Sequence, residues 1–219
     1  MTSYYFWGLV SSAFFLSSIP AIAHQLKVIL NRRALKASGE LNDPVTQSIS
    51  LNQIASSYWA VYSFFLFGLA WDSPDLFLVL PRAVVGILLY LVIFELFRDR
   101  RTLRAKFIFV LSSLSILAAV LLTLSGLRAT IGVQKVSTGI VCLSTLLLAQ
   151  GNIAQYLALK RSGKRGAVSF PMHLVLYAKD FTGMMFGLQL GASAWAIVLM
   201  HVSNLIMRAP VLLIYLRIR

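Results

Sequence analysis

Apolar residues gather along the chain in seven long stretches, near Tyr4–Leu30, Ile49–Trp71, Leu76–Phe97, Phe107–Leu127, Val136–Leu159, Phe170–Leu190 and Ala192–Ile218. Each reaches or exceeds the ~20 residues a helix needs to cross about 30 Å of hydrocarbon at ~1.5 Å per residue. A closed barrel would instead require tilted strands of ~10 residues with alternating polarity. That alternation is missing. The expected fold is therefore an all-α membrane protein with seven transmembrane helices.

Composition agrees with the pattern. The chain is 58% hydrophobic and only 12% charged, against roughly a quarter charged in an ordinary soluble domain. A net charge of +13 would suggest nucleic acid if the basic side chains shared one soluble face. Most lie between apolar stretches instead, so nucleic acid is not an expected partner. Lys27, Arg32, Arg33 and Lys36 mark the first turn, Arg98, Arg100, Arg101, Arg104 and Lys106 the third. Lys160, Arg161, Lys164 and Arg165 mark the fifth, and Arg217 and Arg219 the C-terminus. The intervening turns hold only Asp72 and Asp75, then Arg128 and Lys135, then no charge. By the positive-inside rule the N-terminus is outside and the C-terminus cytoplasmic, with a plasma (inner) membrane favoured over an organelle. No basic region or cleavage site marks a signal peptide, so the first stretch is read as a retained helix. The single cysteine, Cys142, excludes an intramolecular disulfide and a Cys-based metal cluster.

The chain also repeats. Ser50–Leu69 lies over Ser169–Leu188 without a gap, matching Ser50/Ser169, Tyr58/Tyr177, Phe67/Phe186, Gly68/Gly187 and Leu69/Leu188. Helices one to three and five to seven can share an orientation only if a single helix inverts the chain between them. Helix four occupies that place and carries no charge, with Ser112, Ser113, Ser115 and Thr123 scattered along it. The expected organisation is two parallel three-helix bundles, residues 1–100 and 135–219, joined by an inverting helix within residues 101–134. Parallel repeats of this kind occur in transporters that bind solute near the midplane.

These residues resemble the PQ-loop superfamily, which includes the SWEET sugar transporters. Gln25 and Gln155 stand at the family's Gln positions, with His24 and Ala154 where Pro is usual. Ile49-Ser50 and Val168-Ser169 replace Leu-Ser, and Phe67-Gly68 and Phe186-Gly187 replace an aromatic-Gly pair. The loop between Gln25 and Ser50 is 11 residues longer than its counterpart. The resemblance implies two three-helix bundles and alternating access. It also implies a pocket-facing Asn in the third helix of each bundle. Asn204 matches that position in helix seven, and Arg82 stands in the corresponding place in helix three.

Ionisable residues at membrane depth cost roughly 2.5–3.5 kcal/mol each on insertion scales, so they mark interiors and wet cavities. Arg82, Glu95, Lys179, Asp180 and Arg208 are of this kind. Helix six presents His173, Tyr177 and Asp180 on one face, and helix seven His201, Asn204 and Arg208. Asp180 is expected to pair with Arg208 or Lys179, as a structural ion pair, as part of a solute or proton site, or as both. Glu95 is expected to be solvated or paired with Arg98 or Arg101, and Arg82 has the reach to snorkel outward. The surplus of cations over the one midplane acid leaves an anionic or zwitterionic solute among the options.

Neutral polar stripes add Thr138, Thr145 and Asn152 in helix five and Asn52, Ser56, Trp59 and Ser63 in helix two. Interhelical glue is the ordinary role for such groups. Trp59, flanked by Asn and Ser, would also suit a sugar ring. Gly183–Gly191 reads as a close-packing motif, while Pro20 and Pro210 break helical hydrogen bonds and permit kinks. No catalytic or phosphate-binding motif is present, so neither an enzyme nor a cofactor is expected.

The function expected from sequence is a carrier, uniporter or proton-coupled, of a small polar solute such as a sugar, amino acid or carboxylate. Asp180, Asn204, Arg208, Tyr177, His201, Trp59 and Asn152 are the candidate binding residues, and Pro20, Gln25, Gln155 and Pro210 the candidate gating residues. The expected partners are that solute, protons, the lipid bilayer and a second copy of the chain. The alternatives are a sorting receptor on a KDEL-receptor-like fold, binding a carboxylate-bearing ligand, and an accessory membrane subunit.

Overall fold

The computed structural model describes residues 2–46, 49–71, 73–125, 131–162 and 170–217. Asp72, Arg128, Lys164, Arg165 and Arg219, which enter the loop-charge pattern, lie outside the described residues, as do the side chains of Gln155 and His173. The described residues form eight α-helices: α1 Thr2–Leu16, α2 Ile19–Ala37, α3 Leu51–Leu69, α4 Leu76–Arg100, α5 Leu103–Ser125, α6 Ile131–Ser162, α7 Phe170–Gln189 and α8 Trp195–Arg217. No strand occurs among them. Among the described residues each of the seven apolar stretches is helical over most of its length, the first being broken into α1 and α2.

That break has a local cause. Pro20 lies in the first turn of α2, where its missing N–H costs nothing, whereas a continuous helix would need that N–H to reach Leu16. Five segments are long and apolar enough to cross a membrane: Ser3–Ala37, Leu76–Arg100, Leu103–Ser125, Gly132–Ile153 and Ala192–Ile214. The protein is an integral membrane protein. α3 and α7 fall short of that measure because they carry the polar side chains described below.

The chain divides into two compact units, a central one of Leu16–Ser137 and a terminal one of Met1–Phe15 with Thr138–Arg219. In the central unit α3 and α4 form the main hairpin. Asp75 caps α4 by accepting from the Leu78 N–H at 3.0 Å, a typical N-cap bond. Gly68 faces the start of α4, where a Cβ would stand 2.5 Å from Leu78 Cβ. Only glycine allows that approach. α4 is followed by its C-cap Arg101, in the left-handed region with φ 50°, and α5 begins at Leu103 after a two-residue turn.

Hydrocarbon offers no hydrophobic drive between helices, so packing and hydrogen bonds must hold them. The serines of α5 do this for the central unit. The Tyr58 hydroxyl lies 2.7 Å from Ser115 Oγ, Tyr62 donates to the Ser115 carbonyl at 2.7 Å, and the Tyr90 hydroxyl lies 3.0 Å from Ser113 Oγ. These serines are docking points for α3 and α4, not incidental polar residues in an apolar helix.

Arg82 departs from the expectation that it snorkels. It is only 3% exposed and donates to the Phe77 carbonyl at 2.8 Å, with its guanidinium 5.2 Å from the Phe64 ring centroid. The reason lies one residue earlier. Pro81, inside α4, has no N–H to give the carbonyl four residues back, which is Phe77. Arg82 supplies that hydrogen bond from its side chain.

The long loop after α2 is also anchored. Asp99 accepts from the Val45 N–H at 3.2 Å, the Thr46 N–H at 2.8 Å and the Thr46 hydroxyl at 2.7 Å. Arg100 donates to the Thr46 carbonyl at 2.7 Å and to the Ile49 carbonyl. Arg32 donates to the Val45 carbonyl at 2.9 Å. Nearby, Glu95 forms ion pairs with Arg33 and, at 3.3 Å, with Arg98. Below the loop Ile29, Val45, Leu51, Val92, Leu96 and Ala105 form a buried apolar cluster. Asp99→Ala removes one acceptor from three donors and should cost on the order of 2 kcal/mol. Limited digestion with a glutamyl endopeptidase checks it: cleavage after Glu40 should quicken in the variant, and an unchanged rate would show that the anchor does not hold the loop.

Candidate functional site

α7 and α8 form the hairpin of the terminal unit, joined through Gly191 at φ +82° and the short 3₁₀ turn Ala192–Ala194. Glycine is required there because a side chain disfavours positive φ. Asp180 precedes Gly191 by eleven residues and His201 follows it by ten. At equal rise per residue the two arrive at the same level.

Side chains on a helix lean toward its N-terminus. On antiparallel helices, Asp180 therefore leans away from the turn, and the long Arg208 side chain leans back toward it. They meet. Arg208 Nε lies 3.1 Å from Asp180 Oδ2, and His201 Nδ1 lies 3.2 Å from Asp180 Oδ1. Asn204 Nδ2 donates to Asp180 Oδ1 at 3.4 Å, and Asn152 of α6 donates to Asn204 Oδ1 at 3.4 Å. Asp180 is 1% exposed, Asn204 4%, His201 7%, Asn152 8% and Arg208 9%. One carboxylate thus gathers three partners from successive turns of α8, with a fourth polar group on α6 behind them.

Glycines let the helices come this close. A methyl on Gly183, one turn after Asp180, would overlap the His201 ring. A Cβ on Gly187 would meet Val198 Cγ2 at 3.0 Å and Ile197 Cγ2 at 3.2 Å. The glycine motif is a packing face within this unit. Lys179, next to Asp180 in sequence, turns away and places Nζ 5.5 Å from the Phe15 ring centroid, a cation–π distance.

Five of the seven residues expected to bind solute, Asp180, Asn204, Arg208, His201 and Asn152, therefore form one connected polar cluster. Tyr177 is half-buried one turn before Asp180 and stands outside the hydrogen-bonded set. Trp59 belongs to the central unit, half-buried on α3, with its ring edge-on to Tyr58 and Tyr62 at 5.5 and 5.6 Å. Of the gating candidates, Pro20 opens α2 and Pro210 lies inside α8. Gln25 is half-buried on α2. No group of His, Cys, Asp and Glu among the described residues has the arrangement of a metal site.

Asp180→Ala strands the Arg208 guanidinium and should destabilise the protein by about 3–5 kcal/mol, the usual effect of breaking a buried pair. Adding Arg208→Leu to that variant should recover much of the loss, read as a thermal midpoint in detergent. Additive losses would show that the two groups do not interact. Gly183→Ala should cost about 1–3 kcal/mol by overpacking, and His201→Ala in the same chain should relieve it. A silent Gly183→Ala would refute the close contact.

No family model matches the sequence, and no curated protein matches it. Among solved structures, one described as the 3.7 Å resolution structure of a eukaryotic SWEET transporter is similar over 99% of this chain and 96% of that chain. The TM-score is 0.67 and the sequence identity 19%. At that identity the likeness concerns the fold, and the chain has a SWEET-like, all-helical membrane fold.

Proposed function

We propose that this protein carries a small polar solute across the membrane by alternating access, with the Asp180 cluster as the place where solute or proton is met. The carrying observation is a buried carboxylate on α7 surrounded by His201, Asn204 and Arg208 of α8, a helix apolar enough to span a bilayer. Such clusters inside a membrane are expensive and commonly mark a pathway. The SWEET transporter whose fold it shares adds support at the level of architecture.

Charge narrows the solute. Arg208 is neutralised by Asp180, Lys179 rests on Phe15, and Arg82 serves its own helix. The cation surplus counted along the sequence is thus largely committed within the protein. A neutral or zwitterionic solute, a sugar or an amino acid, fits this balance better than an anion. The carboxylate receptor alternative draws no support from it. The Asp180–His201 pair supplies a proton acceptor within the cluster, which makes proton coupling part of the proposal.

In this reading the repeat defines the working halves, residues 1–100 and 135–219, with residues 101–134 as the inverting link. The N-terminus is outside and the C-terminus cytoplasmic, in a plasma membrane. The helix break at Pro20 and the proline within α8 at Pro210 would provide the bends, with Gln25 and Gln155 beside the moving ends.

Uptake of labelled sugars and amino acids into proteoliposomes tests the assignment. Asp180→Asn and Asn204→Ala should each lower the initial rate at least about ten-fold, the effect of losing ~1.4 kcal/mol. Asp180→Asn should also abolish any stimulation by an imposed pH gradient. Undiminished uptake in both variants would remove the cluster from the pathway.

A further inference from the structure

The central unit contains a cavity of about 270 Å³ between α3, α4 and α5. It is far larger than the ~10–15 Å³ that one water needs. Its walls are almost entirely carbon, although Tyr58, Tyr62, Arg82 and Thr123 all contribute to them. Most polar atoms of those residues are engaged elsewhere. Tyr58 and Tyr62 bond to Ser115, Arg82 donates to the Phe77 carbonyl, and the Thr123 hydroxyl donates to the Ala119 carbonyl at 2.8 Å. A polar solute would find little here to replace its hydration.

The rim points to another occupant. Ile87 is 58% exposed, Val120 48% and Leu124 78%, and they sit on α4 and α5, both apolar enough to span a membrane. The cavity is continuous with surface whose natural solvent is hydrocarbon. An apolar void left empty forfeits the dispersion contacts of its lining, and packing is what drives association within a bilayer.

We infer that this groove is a binding site for one acyl chain of a bilayer phospholipid, inserted between α3, α4 and α5 and distinct from the lipid that merely surrounds the protein. The inference is independent of the transport proposal. Gly86 supplies the means to test it, because it lines the groove and a Cβ there would meet only Val61 Cγ1, at 3.7 Å. A larger side chain at 86 can enter the groove without a clash at its base.

The full chain is reconstituted in phosphatidylcholine vesicles in which a fraction of the lipid carries a diazirine in mid-chain, irradiated, digested and mapped by mass spectrometry. Adducts should concentrate at Ile87 and Val120. After detergent exchange, native mass spectrometry should find one retained phospholipid per chain. Gly86→Leu should lower the groove adducts roughly ten-fold or more, about what losing the burial of two methylenes is worth, and should abolish the retained lipid. Adducts at Leu114 and Leu121, exposed on α5 outside the groove lining, should be unchanged. Ala83→Leu, on the same wall, serves as a second variant if Gly86→Leu does not elute as a single folded species. Equal labelling of the groove in the wild type and in whichever variant folds would reduce it to surrounding lipid and overturn the site. Cross-links between copies in place of lipid adducts would assign the groove to a dimer and overturn it as well.

Discussion

A carboxylate taken out of water must find donors, and in this protein that requirement shapes a whole hairpin. Asp180 lies near the middle of α7, where neither bulk water nor a helix end can serve it. Its partners come from successive turns of α8, and they reach it only if the two helices approach closely and keep one register. Gly183 and Gly187 allow the approach. The turn at Gly191 sets the register. Neither glycine touches the carboxylate, yet each is needed for the distances around it. Losing any of these partners would leave a buried charge short of compensation, which costs more than the intact cluster contributes.

The same register operates in the other unit with different chemistry. At the offset of 119 residues that aligns Ser50 with Ser169, Gly68 meets Leu78 and Val79 as Gly187 meets Ile197 and Val198. Arg82 lies on Phe64, and its equivalent His201 lies on Gly183, the equivalent of Phe64. These matched contacts extend the repeat beyond the residues that are identical. They also correct one correspondence: Asn204 is matched by Val85, and Arg82 by His201. Where the terminal unit has Asp180, the central unit has Val61. The two hairpins share a scaffold but not a charge.

Much of this was legible in the chain. The seven apolar stretches, the i and i+7 spacing of Asp180's partners and the repeated glycines are local patterns with a fixed geometric meaning. The partners of Asp180 were readable because an acid at membrane depth has few places to turn. Other features depended on three-dimensional neighbours that periodicity cannot reveal. Arg100 looks like a loop charge that merely reports orientation, yet with Asp99 it holds a loop 53 or 54 residues away in sequence. Ser112 and Ser115 look incidental until Tyr58 and Tyr62 are placed against them. One signal was present but unused: Pro81 inside a helix leaves the Phe77 carbonyl without its N–H, and the next residue is an arginine long enough to replace it.

Arg82 and Arg208 show why a count of charges along a membrane sequence misleads. Both are buried arginines on equivalent helices, but one satisfies its own backbone and the other satisfies an acid. Each is committed, by a different route. In the central unit the hydroxyls of Tyr58, Tyr62 and Thr123 and one guanidinium nitrogen of Arg82 are likewise turned onto protein partners, and the groove they leave is carbon-lined. In the terminal unit the polar atoms are turned onto one another around a single titratable pair. A scaffold repeated twice has therefore been polarised in two senses: one copy hides its polarity from an apolar cavity, and the other concentrates its polarity at one buried point. That asymmetry, more than the total charge, is what distinguishes the two hairpins.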